Sequence, residues 1–290
     1  MADQHSSQED EELRREVEQT FGHSPKKFQQ NDLSHIKHVI GVVSGKGGVG
    51  KSLVCALSAC ELSRRHAKVA ILDADITGPS IPKMFGLSGA RVAVDPAHEM
   101  MVPASTAAGL KIISTNLVLE HETGPVLWRV PILMGVLKQF WEEVEWGDID
   151  YLLVDMPPGT GDVALTVFQQ LPIDGIIIVS SPQDLVQMVV AKAINMARQM
   201  DVEVLGLIEN MSYIVCPDCG RRIEPFGPSR LKQTAEQFGI KALGELPIDP
   251  ALAAACDAGT IEHTAPEGLL SATADHIIDA CTMADSARNA

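Results

Sequence analysis

Eight residues, Gly45-Lys46-Gly47-Gly48-Val49-Gly50-Lys51-Ser52, constrain this chain more than any other segment. They satisfy G-x-x-x-x-G-K-[ST] and lie between an apolar run, Val39-Ile40-Gly41-Val42-Val43, and a helical pattern over Ser52–Arg65. A glycine-rich loop between a buried strand and a helix lets backbone N–H groups converge on phosphate oxygens, with the positive end of the helix behind them. Lys51 adds a point charge, and the Ser52 hydroxyl can ligate Mg²⁺. Strand, loop and helix in succession, and a nucleotide phosphate site built from Gly45, Gly47, Gly48, Val49, Gly50, Lys51 and Ser52, are what this segment predicts.

Apolar runs recur downstream at Val69–Leu72, Lys111–Ser114, Tyr151–Val154, Gly175–Val179 and Val204–Ile208. Each is mostly apolar rather than alternating, which marks strands covered on both faces. Helical patterns fall between them at Met134–Val144, Asp162–Leu171, Leu185–Met200 and Ser229–Phe238. The alternation predicts an α/β fold, a doubly wound, mostly parallel sheet with helices on both faces. Residues 37–280 form this domain. Residues 1–36, with the nearly all-charged stretch Gln8–Val17, read as an acidic, largely flexible tail with one short helix near Glu9–Thr20, and residues 281–290 as a flexible C-terminus.

Charge narrows the partners. With 38 acidic against 23 basic residues the formal charge is −15, a field that repels nucleic acid and anionic lipid. No apolar run approaches the roughly 18 residues of a membrane span, and the N-terminal residues carry no apolar leader segment. A cytoplasmic protein binding neither nucleic acid nor membrane is the expectation.

Two strands end in carboxylates, where doubly wound sheets bind ligands. Val69–Leu72 runs into Asp73-Ala74-Asp75, two acids that alternate along extended chain and so point the same way. A carboxylate there can orient attacking water or hold a water of Mg²⁺, giving Asp75 the water-positioning role with Asp73 assisting. Tyr151–Val154 runs into Asp155-Met-Pro-Pro-Gly159-Thr-Gly-Asp162. Asp155 is placed to hold Mg²⁺, and Gly159 to present a free backbone N–H to a γ-phosphate.

Cys216-Pro217-Asp218-Cys219 sets two thiols three positions apart in a turn, while Cys55, Cys60, Cys256 and Cys281 lie in apolar or Ala-rich helical patterns and read as packing side chains. Two ligands do not close a metal site. A homodimer contributing Cys216 and Cys219 from each subunit would supply four thiolates about its axis. That set suits a [4Fe-4S] cluster or a structural Zn²⁺, and C-x-x-C is also a redox dithiol.

With Lys46 second in its loop, the motif resembles the deviant Walker A of the MinD, ParA and nitrogenase-iron-protein class. That likeness implies an ATP-sandwich homodimer in which Lys46 reaches the facing subunit's nucleotide. Leu53 departs from the second hydroxyl usual in that class. Adding Asp73-Ala-Asp-Ile-Thr-Gly-Pro-Ser-Ile-Pro82, Trp146–Asp150, Asp155–Asp162, Ser181-Pro-Gln183 and Glu209-Asn-Met-Ser212 ahead of Cys216-x-x-Cys219, the chain resembles the Mrp/ApbC family over roughly residues 35 to 270. The resemblance implies ATP-dependent carriage of a [4Fe-4S] cluster bridged between subunits, its delivery to apo iron–sulfur proteins, slow ATP hydrolysis, and adenine recognition by Asn210. Val130, following Trp128-Arg129, replaces the glycine usual in relatives. The alternatives are a MinD/ParA-like positioning ATPase and a nonhydrolytic ATP-binding scaffold with a structural zinc.

Overall fold

Side chains two apart on each long apolar run enter the same packed layer, and neighbours along the strand enter opposite layers, as a sheet buried on both faces requires. On the first strand Ile40 and Val42 join one core while Val39 and Val43 join the other, and Leu153 and Leu152, or Ile177 and Ile176, divide the same way on the strands beside it. This computed structural model describes residues 27–76, 78–118, 130–182 and 186–288. The expected helix near Glu9–Thr20 and residues Thr77, Trp128, Arg129, Gln183 and Leu185 lie outside the described residues.

The strands are β1 (Ser34–Ser44), β2 (Val69–Asp73), β3 (Ala93–Asp95), β4 (Met100–Val102), β5 (Ala104–Ser105), β6 (Lys111–Ile113), β7 (Gly147–Asp155), β8 (Gly175–Ser180), β9 (Glu203–Val215), β10 (Arg222–Ile223) and β11 (Ala242–Pro247). Nine form one sheet in the order β10-β9-β8-β1-β7-β2-β6-β5, with β11 also paired to β9, and β3 and β4 make a separate hairpin. All pairings within the nine are parallel except β10 with β9 and β5 with β6. The doubly wound reading of the sequence describes this sheet. Helices Lys51–Arg64, Pro250–Ala258 and Ser271–Arg288 cover one face through Val54, Leu57, Leu252 and Ile277. Helices Val130–Glu142, Asp162–Gln170 and Val186–Gln199 cover the other through Leu137, Trp141, Phe168, Val190 and Ile194.

Three boundaries differ from the sequence expectation. The folded domain begins before residue 37: β1 starts at Ser34, Phe28 packs on the core, and the Asn31 amide donates to the carbonyls of Glu142 (3.0 Å) and Val144 (2.9 Å), which satisfies groups left open where the helix Val130–Glu142 ends. Residues 281–288, set apart in the sequence as a flexible C-terminus, are the last turns of the helix Ser271–Arg288, with Cys281 buried and Arg288 paired to Asp174 at 2.7 Å. β9 runs seven residues past Ile208 to Val215, because β11 and β10 pair with its far half. Among the described residues no helix is long and apolar enough to cross a membrane.

Candidate functional site

β1 delivers Gly45–Gly50 to the carboxyl end of the sheet, and the helix starting at Lys51 follows directly. Gly45 lies so close to the helix Val186–Gln199 that a Cβ there would sit 1.9 Å from Val189 Cγ1. Gly50 is glycine for two reasons: its φ is +82°, and a Cβ would meet the Asn210 amide nitrogen at 2.1 Å. Gly48 opens onto space in which a Cβ would touch nothing within 4 Å, so the loop leaves room on its outer side. Lys46 is half-buried at its rim.

Behind the loop, Lys51 Nζ lies 2.5 Å from Asp155 Oδ1 and 3.7 Å from Asp75 Oδ2, and Ser52 Oγ donates to Asp155 Oδ2 at 2.6 Å. Burial pushes the Asp155 carboxyl up, and Lys51 opposes that shift. A hydroxyl and a carboxylate side by side are hard oxygen donors suited to Mg²⁺, and the buried Ser44 Oγ at the end of β1 has no hydrogen-bond partner among the described residues. These residues fit a magnesium-bound nucleotide phosphate.

Asp73 stands opposite Asp155 across the β2/β7 pair. It is fully buried, and its carboxylate accepts from the N–H of Asp75 (3.2 Å) and of Ile81 (3.4 Å) and from Ser114 Oγ (3.1 Å). Burial, and then the charge of Asp155, holds its carboxyl well above the usual range. Asp73 thus anchors the segment that presents Asp75, which is the form its assisting role takes in this geometry. Sequence reasoning passed over Ser114, although a hydroxyl ending the Lys111–Ser114 run beside Asp73 was the available signal. Nor did it find Val189, whose contact with Gly45 joins elements far apart in the chain.

Gly159 also needs correction. Its N–H is not free but donates to the Ser44 carbonyl at 2.9 Å, tying the segment after β7 to the base of the phosphate loop. Trp146 and Asp150 are structural: the indole N–H donates to the Phe140 carbonyl at 3.1 Å, and Asp150 binds Lys37 at 2.6 Å. Asn210 is buried on β9, where its amide donates to the Val49 carbonyl at 2.9 Å and its oxygen accepts from the Met211 N–H at 2.9 Å. In this arrangement it grips the phosphate loop.

β9 ends at the cysteines. It pairs with β10 as a hairpin, Val215 opposite Arg222, closed by Cys216 N–H to the Arg221 carbonyl and Gly220 N–H to the Cys216 carbonyl, both 2.9 Å. Arg222 lies 3.6 Å over the Tyr213 ring and 2.6 Å from Glu245, which fixes the hairpin's base. Cys219 is exposed and Cys216 half-buried. Backbone N–H groups of Cys219 and Asp218 draw the Cys216 thiol below its ordinary range. Cys55, Cys60 and Cys281 are buried in the core, where burial pushes the Cys60 and Cys281 thiols up to about 12. Among the described residues no group of three ligand atoms within 4.8 Å of one another includes Cys216 or Cys219. Two thiols do not close a metal site, and Val215 beside Cys216, Ile223 on β10 and Phe226 just after it are exposed apolar side chains.

Comparison with known proteins places this geometry. Residues 35–282 match the ParA family description, NUBPL iron-transfer P-loop NTPase. The chain is 46% identical over 251 residues to the iron-sulfur cluster carrier protein of Clostridium perfringens, covering 85% of this chain and 88% of the relative. It is 41% identical over 223 residues to the cytosolic Fe-S cluster assembly factor CFD1 of Saccharomyces cerevisiae, 75% of this chain and 76% of that one. A nucleotide-binding protein from Archaeoglobus fulgidus, solved in complex with ADP and with Co, superposes with a TM-score of 0.72 at 42% identity, covering 81% of this chain and 92% of that chain. MinD of Pyrococcus furiosus shares the fold, with a TM-score of 0.58 at 19% identity over 84% of this chain and 99% of its own. Matched over nearly its whole described length and closely similar to curated members, the chain belongs to the iron-transfer P-loop NTPases of the ParA family.

Proposed function

We propose that this protein is an ATP-dependent iron–sulfur cluster carrier of the cytoplasm, in which two copies hold a [4Fe-4S] cluster as cargo between Cys216 and Cys219 of each subunit and pass it to apo-proteins. One observation carries the reading: an exposed C-x-x-C hairpin, with one thiol drawn toward thiolate, ends the same strand that grips the phosphate loop. The names of the relatives support it. Val215, Ile223 and Phe226, exposed apolar side chains of the hairpin and the residues just after it, support a second subunit over this stretch, because exposed apolar side chains close in sequence favour an interface.

At the nucleotide end, Lys51 and the backbone N–H groups of Gly45–Gly50 hold the phosphates of ATP, with Lys46 serving the nucleotide of the facing subunit. Ser52 and Asp155 would hold Mg²⁺, which offsets phosphate charge. Lys51, paired with Asp155 in this structure, would then turn to the phosphates. Asp75, 3.7 Å from Lys51 and presented by the buried Asp73, orients the attacking water. A contact of Asn210 with adenine would fall to the second N–H of its amide. Hydrolysis serves switching, so turnover falls below the roughly 1–10³ s⁻¹ of metabolic enzymes.

Anaerobic reconstitution with iron and sulfide, followed by Mössbauer spectroscopy of wild type and of a Cys216→Ala/Cys219→Ala variant, tests the reading. A [4Fe-4S] signal present in wild type and absent in the variant supports it. Uptake of zinc alone, or equal iron uptake by both proteins, rejects it.

A further inference from the structure

Asn210 makes two bonds that join the two ends of the molecule's chemistry. Its Nδ2 donates to the Val49 carbonyl, and its Oδ1 accepts from the N–H of Met211, the residue that follows it on β9. Carbonyl and N–H of a trans peptide lie on opposite edges, so fixing the Val49 carbonyl aims the Gly50 N–H away from Asn210, into the loop. A phosphate accepting from that N–H polarises the peptide and strengthens the carbonyl's bond to Asn210. The approach is close: a Cβ at Gly50 would lie 2.1 Å from Asn210 Nδ2 and 3.8 Å from Met211 Cε, so Asn210 packs directly against the loop.

Met211 itself is held at φ +62°, costly for a non-glycine residue, so the backbone there is set by its surroundings. From Met211 the strand runs five residues, about 17 Å at extended spacing, to Cys216. It is braced on the way by Ser212 on buried Glu209 (2.7 Å) and by the Ile248 N–H on the Tyr213 carbonyl (2.7 Å).

We propose that Asn210 is a positioning residue that couples occupancy of the phosphate loop to the exposure and reactivity of Cys216 and Cys219, with nucleotide tightening the strand and slowing attack on the thiols. The inference rests on the carrier reading for what those thiols do, but its test needs no iron.

The full-length apo-protein is treated anaerobically with a chromogenic disulfide reagent, with and without saturating MgADP, while ADP affinity is measured separately by calorimetry and dimerisation by light scattering. In wild-type monomer, ADP slows modification of the two exposed thiols about fivefold or more, the lower end of ordinary coupling between sites. Asn210→Ala, at ADP concentrations saturating for that variant, shows no such ratio. Met211→Gly keeps Asn210 and every loop residue but frees the backbone, and it binds ADP while losing most of the response. Ser212→Ala, which cuts a brace on the same strand without touching the loop, retains a clear ADP response. A wild-type chain without an ADP effect, or a full effect in Met211→Gly or in ADP-bound Asn210→Ala, overturns the proposal. If Asn210→Ala fails to bind ADP, Met211→Gly decides. A wild type that shows the response yet takes up no cluster keeps this inference and removes the carrier reading.

Discussion

Replacing Lys51 with methionine removes the ammonium that Asp155 holds at 2.5 Å, and both partners are buried, with side-chain exposures of 5% and 0%. Breaking a buried pair from one side leaves the other charge uncompensated, at a cost of about 3–5 kcal/mol. The hydroxyl of Ser52 remains on Asp155 and keeps the loss toward the lower end. For a domain of this size each kcal/mol moves the melting temperature by roughly 2–4 °C, so the nucleotide-free variant should melt about 6–15 °C below wild type. The deficit also has a sign in pH. Burial already raises the Asp155 carboxyl, and Lys51 is the leading influence opposing that rise, so the variant's folded-state value moves further above the unfolded one. An acid whose folded pKa is raised lowers stability as pH climbs through that value, and the penalty fades below it. Urea unfolding at a series of pH values from neutral into the acid range should therefore show the gap from wild type narrowing as the buffer is acidified. Combining Lys51→Met with Asp155→Leu should recover much of the loss, since an apolar pair replaces the stranded charge. A Lys51→Met protein as stable as wild type at neutral pH, or a deficit that does not change with pH, would refute the reasoning.

Other outcomes follow from the same geometry. Iodoacetamide should label Cys216 and Cys219 of the folded apo-protein and leave Cys55, Cys60 and Cys281 unmodified until denaturant is added; mass spectrometry of the peptides shows which thiols reacted. Gly50→Ala should abolish measurable ADP binding by calorimetry, because its φ of +82° and the 2.1 Å approach to Asn210 act together, whereas Gly48→Ala, with open space around it, meets only the backbone strain of about 1–2 kcal/mol. Asp75→Ala should keep its melting temperature and ADP affinity within a few-fold of wild type and lose phosphate release from ATP at least about a hundredfold, the lower range for a positioned proton-handling group. Deleting residues 281–290 should lower stability by about 2–3 kcal/mol through loss of the buried Cys281 and its neighbours, measured by urea titration, since the exposed Arg288–Asp174 pair adds little.

Much of the fold was legible because parallel strands buried on both faces leave continuous apolar runs, and Val39–Val43 and Tyr151–Val154 fall in β1 and β7 with little ambiguity. The edges were not. β10 and β5 are two residues each and carry no period, and β11 begins Ala-Leu-Gly, which no strand pattern marks. The phosphate loop was readable because its chemistry is local, with backbone and side chains from one segment. Asp73 and Gly159 were assigned by position at strand ends, but their actual partners, Ser114 and Ser44, come from other strands, and sheet order decides those contacts. Asn210 shows the same limit. Its grip on Val49 spans 161 positions of sequence.

The bridged cluster is tested most directly by mixing subunits. Wild type and a mass-tagged Cys216→Ala/Cys219→Ala variant are combined, reconstituted anaerobically with iron and sulfide, and examined by native mass spectrometry. Four thiolates from two chains predict a [4Fe-4S] mass on wild-type homodimers, and none on monomers, on variant homodimers or on mixed dimers. A stable cluster on monomers, or on mixed dimers as abundantly as on wild-type ones, would contradict a site shared between two subunits.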